Sequence, residues 1–361
     1  MENQKQLNSS VKWWLIIGLF MIFFQILLGG ITRLTGSGLS ITKWDIITGS
    51  IPPFSESSWN AEFDLYKKTP QYQHINQGMT LKEFKFIYFW EFIHRLWART
   101  MGFVFIIPLL FFIYKKYIDK NLARQLFNVF ILAALVASVG WIMVASGLIN
   151  RPWVNAYKLS FHLILAVTLF SYLLWIVLSV SFKSLDLSST SNFQSPVFFL
   201  VVLVFMQIFL GGMMSGMKAS LMYPTWPKIG TEYIPSILLE SKHWLINNLF
   251  FYEKNVFMPT FIHFLHRSLA YVIFIYASYL TYSIIMKDKN KILTLTCYIL
   301  ISLLILQVLL GILTLLNSTG SIPLLLGVLH QAIGILLLGS CITLYYLIKK
   351  RAFLNVNNSV S

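Results

Sequence analysis

Charge is scarce in this chain. Only 11% of its 361 residues are Asp, Glu, Lys or Arg, and the acidic ones number 13, whereas a soluble domain carries about 25% charged residues. Hydrophobic residues reach 57% and mean hydropathy is +0.70, which excludes a water-soluble globular domain and implies an integral membrane protein. Cysteine is scarcer still. Cys297 and Cys341 are the whole complement; both fall inside apolar runs, which argues against a disulfide in an exported loop and against a cysteine-built zinc site. The scarcity of acid leaves a net charge of +15. The basic residues, however, sit in short segments between apolar runs rather than in one patch, so no nucleic acid partner is implied.

Apolar runs long enough to cross a hydrocarbon core of about 30 Å occupy roughly 13–31, 92–114, 126–148, 159–181, 197–214, 259–286, 292–316 and 322–348. This pattern predicts an all-α, polytopic membrane protein with eight transmembrane helices. Lys115, Lys116, Lys120 and Arg124 separate the second and third runs, Lys287, Lys289 and Lys291 the sixth and seventh, and Lys349, Lys350 and Arg351 follow the eighth. By the positive-inside rule these segments face the cytoplasm and its anionic lipid. Both termini are then cytoplasmic, in agreement with Lys5 and Lys12, and the long connections 32–91 and 215–258 lie outside. The first run is too long for a cleaved signal, and Glu2 with no Arg before Arg33 argues against a mitochondrial presequence. A multi-pass protein of a bacterial inner (plasma) membrane is the expectation.

The chain also repeats itself. "FFQILLGGITRLTGSGLS" (23–40) is echoed by "FMQIFLGGMMSGMKASLM" (205–222), and each is followed by a Trp (Trp44, Trp226) and then Ile-Pro (Ile51-Pro52, Ile234-Pro235). "FWEFIHRLW" (89–97) is echoed by "FIHFLHRSL" (261–269), Gly140 by Gly311 and His162 by His330. Residues 1–190 and 191–361 are thus expected to be two tandem four-helix bundles. An even number of spans per copy makes both cross the membrane in the same sense, related by a pseudo-twofold axis along the membrane normal.

Five of the seven histidines lie in the spans: His94, His162, His263, His266 and His330. In the inferred topology all five stand in the outer half of the membrane, where ionisable groups are costly and usually functional. Each copy offers one His on its second helix and one on its fourth, His94 with His162 and His266 with His330. Two imidazoles facing each other across a bundle are what axial ligation of a heme iron requires. The absence of C-x-x-C-H means that such a heme is not attached in the c-type manner. A carboxylate-bridged di-iron centre lacks its further intramembrane carboxylates. His74 and His243 fall in the exported loops and read as solvent-exposed.

One position breaks the symmetry. Three residues before the ligand candidate stands Glu91 in the first copy and His263 in the second. Positions i and i+3 share a helix face, so Glu91 would stand near any heme held by His94, available as a base or electrostatic partner; pairing with Arg95 or capping of the helix start are the bland alternatives. Arg95 and Arg267 directly follow the ligand candidates and suit the propionates of a heme, with snorkelling to lipid phosphate as the competing role. Trp44, Trp59, Trp226 and Trp244 make the exported loops suitable lids, although interfacial aromatics need no such role.

"GGITRLTGSGLSITKWDIITGSIPP", "MTLKEFKFIYFWEFIHRLWAR", "GWIMVASGL" and "LGVLHQAIG" together resemble heme A synthase, in the form found in alpha-proteobacteria and mitochondria, from about Trp13 to Tyr346. The resemblance implies an enzyme that oxidises the C8 methyl group of heme O to a formyl group, giving the heme A of terminal oxidases. It implies that His94 and His162 ligate the substrate heme O, that Glu91 is the catalytic carboxylate, and that His266 and His330 ligate a heme b cofactor; His263 is left either as a partner of that cofactor site or as a stand-in for the missing carboxylate. Heme O synthase and a membrane electron acceptor are the implied partners; homo-oligomeric assembly is left open. Members from Gram-positive bacteria carry a Cys pair in the first exported loop, which here has none, so electron transfer through a loop disulfide is unsupported. On residue pattern alone, a di-heme cytochrome b-type electron carrier and a transporter remain as rivals.

Overall fold

We describe a computed structural model over residues 8–43, 51–182, 193–288 and 290–359. Glu2, Lys5, Trp44, Lys289 and the expected boundary at 190/191 lie outside the described residues.

Among the described residues, eight helices are long and apolar enough to cross a membrane: α1 (Ser9–Leu34), α4 (Leu81–Tyr114), α5 (Lys120–Asn150), α6 (Ala156–Ser181), α7 (Gln194–Gly216), α9 (Phe257–Lys287), α10 (Lys291–Leu316) and α11 (Leu324–Ser359). Between them lie the short helices α2 (Glu56–Lys67), α3 (Pro70–His74) and α8 (Ile246–Phe250). The polar punctuation that sequence reading assigns to loops also starts the helices. Asn8, Asp119 and Asn290 each cap a following helix through a side-chain oxygen that accepts from its first backbone N–H groups.

α4 begins earlier than its apolar run. Thr80 and Glu83 form a reciprocal capping box at its start, so the aromatic stretch 81–91 is helical and extends the span. That places Glu91 well inside the helix and removes the helix-start cap as its role. The extension supports a small aromatic core in the first connection, where Phe63 and Tyr66 of α2 pack on Phe84, Ile87, Tyr88 and Phe92 of α4. Trp59 closes it edge-on against Phe84 and Tyr88. Within the core the Tyr66 hydroxyl donates to Gln71 and accepts from Asn76; burial pushes its phenol up to about 12.

The chain divides into two compact units, Met1–Leu173 and Leu174–Ser361, the division falling within α6. In the first, α1 packs along α4, and Leu173 of α6 lies against Gly18 of α1. In the second, α9 packs on α7 and α10, and α11 on α7 and α10. Cys297 and Cys341 are free, buried thiols within the second unit.

Candidate functional site

Each of the four ligand-candidate histidines is wedged against a glycine of a neighbouring helix. A Cβ built on Gly29 of α1 would stand 3.4 Å from His94 Nε2, and one on Gly211 of α7 would stand 3.4 Å from His266 Cε1. On Gly140 of α5 it would fall 2.8 Å from His162 Cε1, and on Gly311 of α10 it would fall 2.9 Å from His330 Cε1. The missing side chain is therefore what lets each imidazole approach the adjacent backbone. In the first unit His94 and His162 lie within electrostatic reach of each other; in the second, His266 and His330 do.

Sequence reading passed over the glutamines that accompany these contacts. Gln25 Nε2 donates to the His94 carbonyl at 3.1 Å. Gln207 Nε2 donates to the His266 carbonyl at 2.9 Å and lies 3.3 Å from His266 Nε2. Gln307 Nε2 lies 3.4 Å from His330 Nε2, while His330 Nδ1 donates to the Gln307 carbonyl at 3.2 Å. The signal was present: Gln25 and Gln207 occupy the same place in the quoted echo, one turn before Gly29 and Gly211.

The carboxylate of Glu91 is 2% exposed and fully engaged. Its Oε2 accepts from Ser40 N at 2.7 Å, Ser40 Oγ at 2.7 Å and Ile41 N at 2.9 Å, and its Oε1 pairs with Arg95 at 2.5 Å. Arg95 in turn donates to the carbonyls of Ile41 and Lys43. Together the two side chains fasten the segment after α1 to α4. Ser40 was not singled out from sequence, because it is 51 residues away from its partner. Arg267 does the matching work in the second unit, donating to the carbonyls of Thr225, Pro227 and Lys228. Both arginines are thus loop clamps before they are anything else.

His263, the counterpart of Glu91, is 1% exposed, and neither ring nitrogen has a hydrogen-bond partner. Its ring lies tilted against that of Tyr223, with centroids 6.5 Å apart. Trp244 packs edge-on against Phe257 and Phe261 of α9, and Trp226 is partly exposed. His74 is exposed at the end of α3, and His243 sits 3.5 Å from Glu240.

This arrangement fits a heme in each unit. Among the described residues no three His, Cys, Asp or Glu side chains converge as a metal cluster; each unit offers two imidazoles, from separate helices, within electrostatic reach of each other. Several polar atoms beside them are buried without partners: the Oε1 atoms of Gln25, Gln207 and Gln307. Buried polar groups without partners are rare in folded proteins and mark a missing ligand or a functional role. Neutral imidazole is the ligand that heme iron takes.

Known proteins resemble this chain along most of its length. The family model COX15-CtaA, described as "Cytochrome oxidase assembly protein", matches residues 12–342. A protein of Rickettsia conorii named "Heme A synthase" is 38% identical over 345 residues, which cover 95% of this chain and 99% of that one. A "Heme A synthase" of Bradyrhizobium diazoefficiens is 38% identical over 332 residues, 91% and 89% of the two chains. One of Rickettsia bellii is 38% identical over 346 residues, 95% and 99% of the two chains.

Proposed function

The chain belongs to the COX15-CtaA family of cytochrome oxidase assembly proteins, and from that membership we propose that it oxidises the C8 methyl group of heme O to a formyl group, yielding heme A. It is a multi-pass membrane oxidoreductase in this reading. The observation that carries the residue assignment is the fourfold wedge of His against Gly, two to each unit.

In the first unit, expected to span 1–190, His94 and His162 hold the substrate heme; in the second, 191–361, His266 and His330 hold a resident heme b. Heme iron supplies the redox chemistry when bound. What the protein contributes is placement. Gly29 and Gly140 let the two substrate-site imidazoles seat deeply, and the Gln25 amide ties the backbone turn that carries His94 to α1. Glu91 remains the candidate catalytic carboxylate. Three donors on one oxygen and a guanidinium on the other hold it in place one turn from His94 and make it the lock on residues 40–43. Arg95 and Arg267 hold the loops that border the two sites, and His263 borders the heme b site.

Methyl-to-formyl conversion is a net oxidation, so electrons must leave to a membrane acceptor, and heme O must arrive from a heme O synthase. The basic segments support cytoplasmic termini and heme sites toward the external side of a bacterial inner membrane.

The test is heme extraction and chromatography on protein purified from cells that also supply heme O. Wild type should yield heme A with heme B. His94→Ala should yield heme B alone, and His266→Ala should lose heme B. Heme B in constant two-to-one ratio with protein in wild type, with no heme A or heme O in any variant, would mean a di-heme electron carrier instead.

A further inference from the structure

Two propionates give any heme a charged edge. Charge within a bilayer is costly unless it is paired or reaches a polar boundary, so a heme held between membrane helices turns that edge outward and needs cations there. The arginines that the sequence pattern favours for this are committed elsewhere. Arg95 holds Glu91 and the carbonyls of Ile41 and Lys43, and Arg267 holds the carbonyls of Thr225, Pro227 and Lys228.

The first unit carries cations in another place. Where α5 ends and α6 begins lies a cavity of about 220 Å³, lined by Ser146, Arg151, Trp153, Asn155 and Lys158. No acidic residue lines it, and both cations are half-buried. Both walls lead to the candidate heme site. On α6, Lys158 stands one helical turn before His162 and so shares its face. On α5, Ser146 adjoins Gly147, where a built Cβ would fall 2.9 Å from Leu39 Cδ2; the next residue, Ser40, donates to Glu91. The start of α6 is not itself the attraction, because the Asn155 side chain already accepts from the N–H groups of Tyr157 and Lys158. What the cavity offers a ligand is the pair of side-chain cations.

The fold does not require them. With His162 aligned on His330, NRPWVNAYK (150–158) corresponds to STGSIPLLL (318–326), where Thr319 and Leu326 replace Arg151 and Lys158 and no cation is present. We propose that the Arg151–Lys158 cavity is a carboxylate site that receives a propionate of the heme seated between His94 and His162. This rests on the reading that the first unit takes a heme. A membrane lipid could bring the same anionic chemistry as a phosphate, and the test separates the two sources.

Equilibrium binding tests it apart from catalysis. Heme b and its dimethyl ester, in which both propionates are blocked, are titrated into purified, heme-depleted His266→Ala protein in detergent and followed at the Soret band. His330→Ala replaces that background if His266→Ala does not fold. Heme b should bind more tightly than the ester. Lys158→Met should weaken heme b about tenfold, the lower end of what a hydrogen bond to a charged group is worth, and leave the ester unchanged, while Lys158→Arg should keep the preference. Equal weakening of both probes would reduce Lys158 to packing and overturn the proposal. Both titrations unmoved, with anionic phospholipid lost from purified Lys158→Met, would give the cavity to lipid; unmoved titrations with lipid retained would leave it no anion at all. If adding His94→Ala does not alter the heme b titration, the first-unit heme site itself falls, and the proposal with it.

Discussion

Replacing the four wedge glycines by alanine, one at a time, should divide them into two pairs. The added methyl at Gly140 would lie 2.8 Å from the His162 ring, and at Gly311 2.9 Å from the His330 ring. Carbon atoms rest at about 3.5–4.0 Å, so each methyl overlaps by about 0.6–1.2 Å and the imidazole or the helix must move. Overpacking of this kind costs about 1–3 kcal/mol, against about 0.5–1 kcal/mol that Ala gains over Gly inside a helix. A net loss of about 1–2 kcal/mol follows, together with a displaced ligand. At Gly29 and Gly211 the same methyl meets the ring at 3.4 Å, an ordinary contact, and only the helix gain remains. Thermal unfolding of the four variants in detergent, with the Soret spectrum of each, measures both effects. Gly140→Ala and Gly311→Ala should melt lower and lose heme, while Gly29→Ala and Gly211→Ala should melt at or above wild type with heme intact. Four variants that behave alike would show that close approach of ring to backbone is not what the glycines provide.

Other expectations follow from the polar contacts. Glu91→Leu strands Arg95 and three N–H or O–H donors, a loss of about 3–5 kcal/mol for one partner of a buried pair, whereas His263→Leu removes an imidazole with no partner and should be neutral or stabilising; chemical denaturation in micelles compares them, and equal losses would refute the contrast. Arg267→Lys offers an ammonium where a fork serves three carbonyls, so hydrogen exchange should quicken across 225–228 and not in α9; unchanged protection would count against the clamp. The Tyr66 phenol is raised by burial from 10.0 to about 12, so its contribution to stability is complete below about pH 10 and is lost as pH climbs toward 12. Spectrophotometric titration should show one late phenol that Tyr66→Phe deletes, and a titration unaltered by that change would remove the assignment.

The spans were legible because nothing but apolar length is needed to see them: seven of the helices bracket their runs, and the eighth begins at Leu324, two residues inside its run. The start of α4 was not. Residues 81–91 mix Lys and Glu with aromatics, and only the Thr80–Glu83 capping box, four residues of local chemistry, reveals that the helix begins there. α2 and α3 were missed for a related reason: neither is apolar enough to stand out, and both are held by tertiary contact, α2 packing on α4 and Tyr72 of α3 packing edge-on against Phe63 and Tyr66 of α2. The histidines could be paired by duplication, since a copied sequence carries its own alignment. Their partners could not be read so easily. The Ser40–Glu91 contact joins positions 51 residues apart, and the glutamines look like incidental polar residues until the glycine one turn on is known to meet a ring.

Duplication also says which features the fold demands and which the chemistry added. The wedge of His against Gly occurs in all four registers, and the clamp of Arg95 or Arg267 on the loop that precedes its helix occurs in both units; features shared by both copies belong to the scaffold. At the position three before the second-helix histidine the copies part: the first has Glu91 with its anchored carboxylate, where the second has His263 with neither ring nitrogen hydrogen-bonded. A charge fixed beside one ligand candidate and an imidazole beside the other are what two copies with unlike tasks would carry, and this difference, unlike the wedge and the clamp, cannot be laid to the shared scaffold.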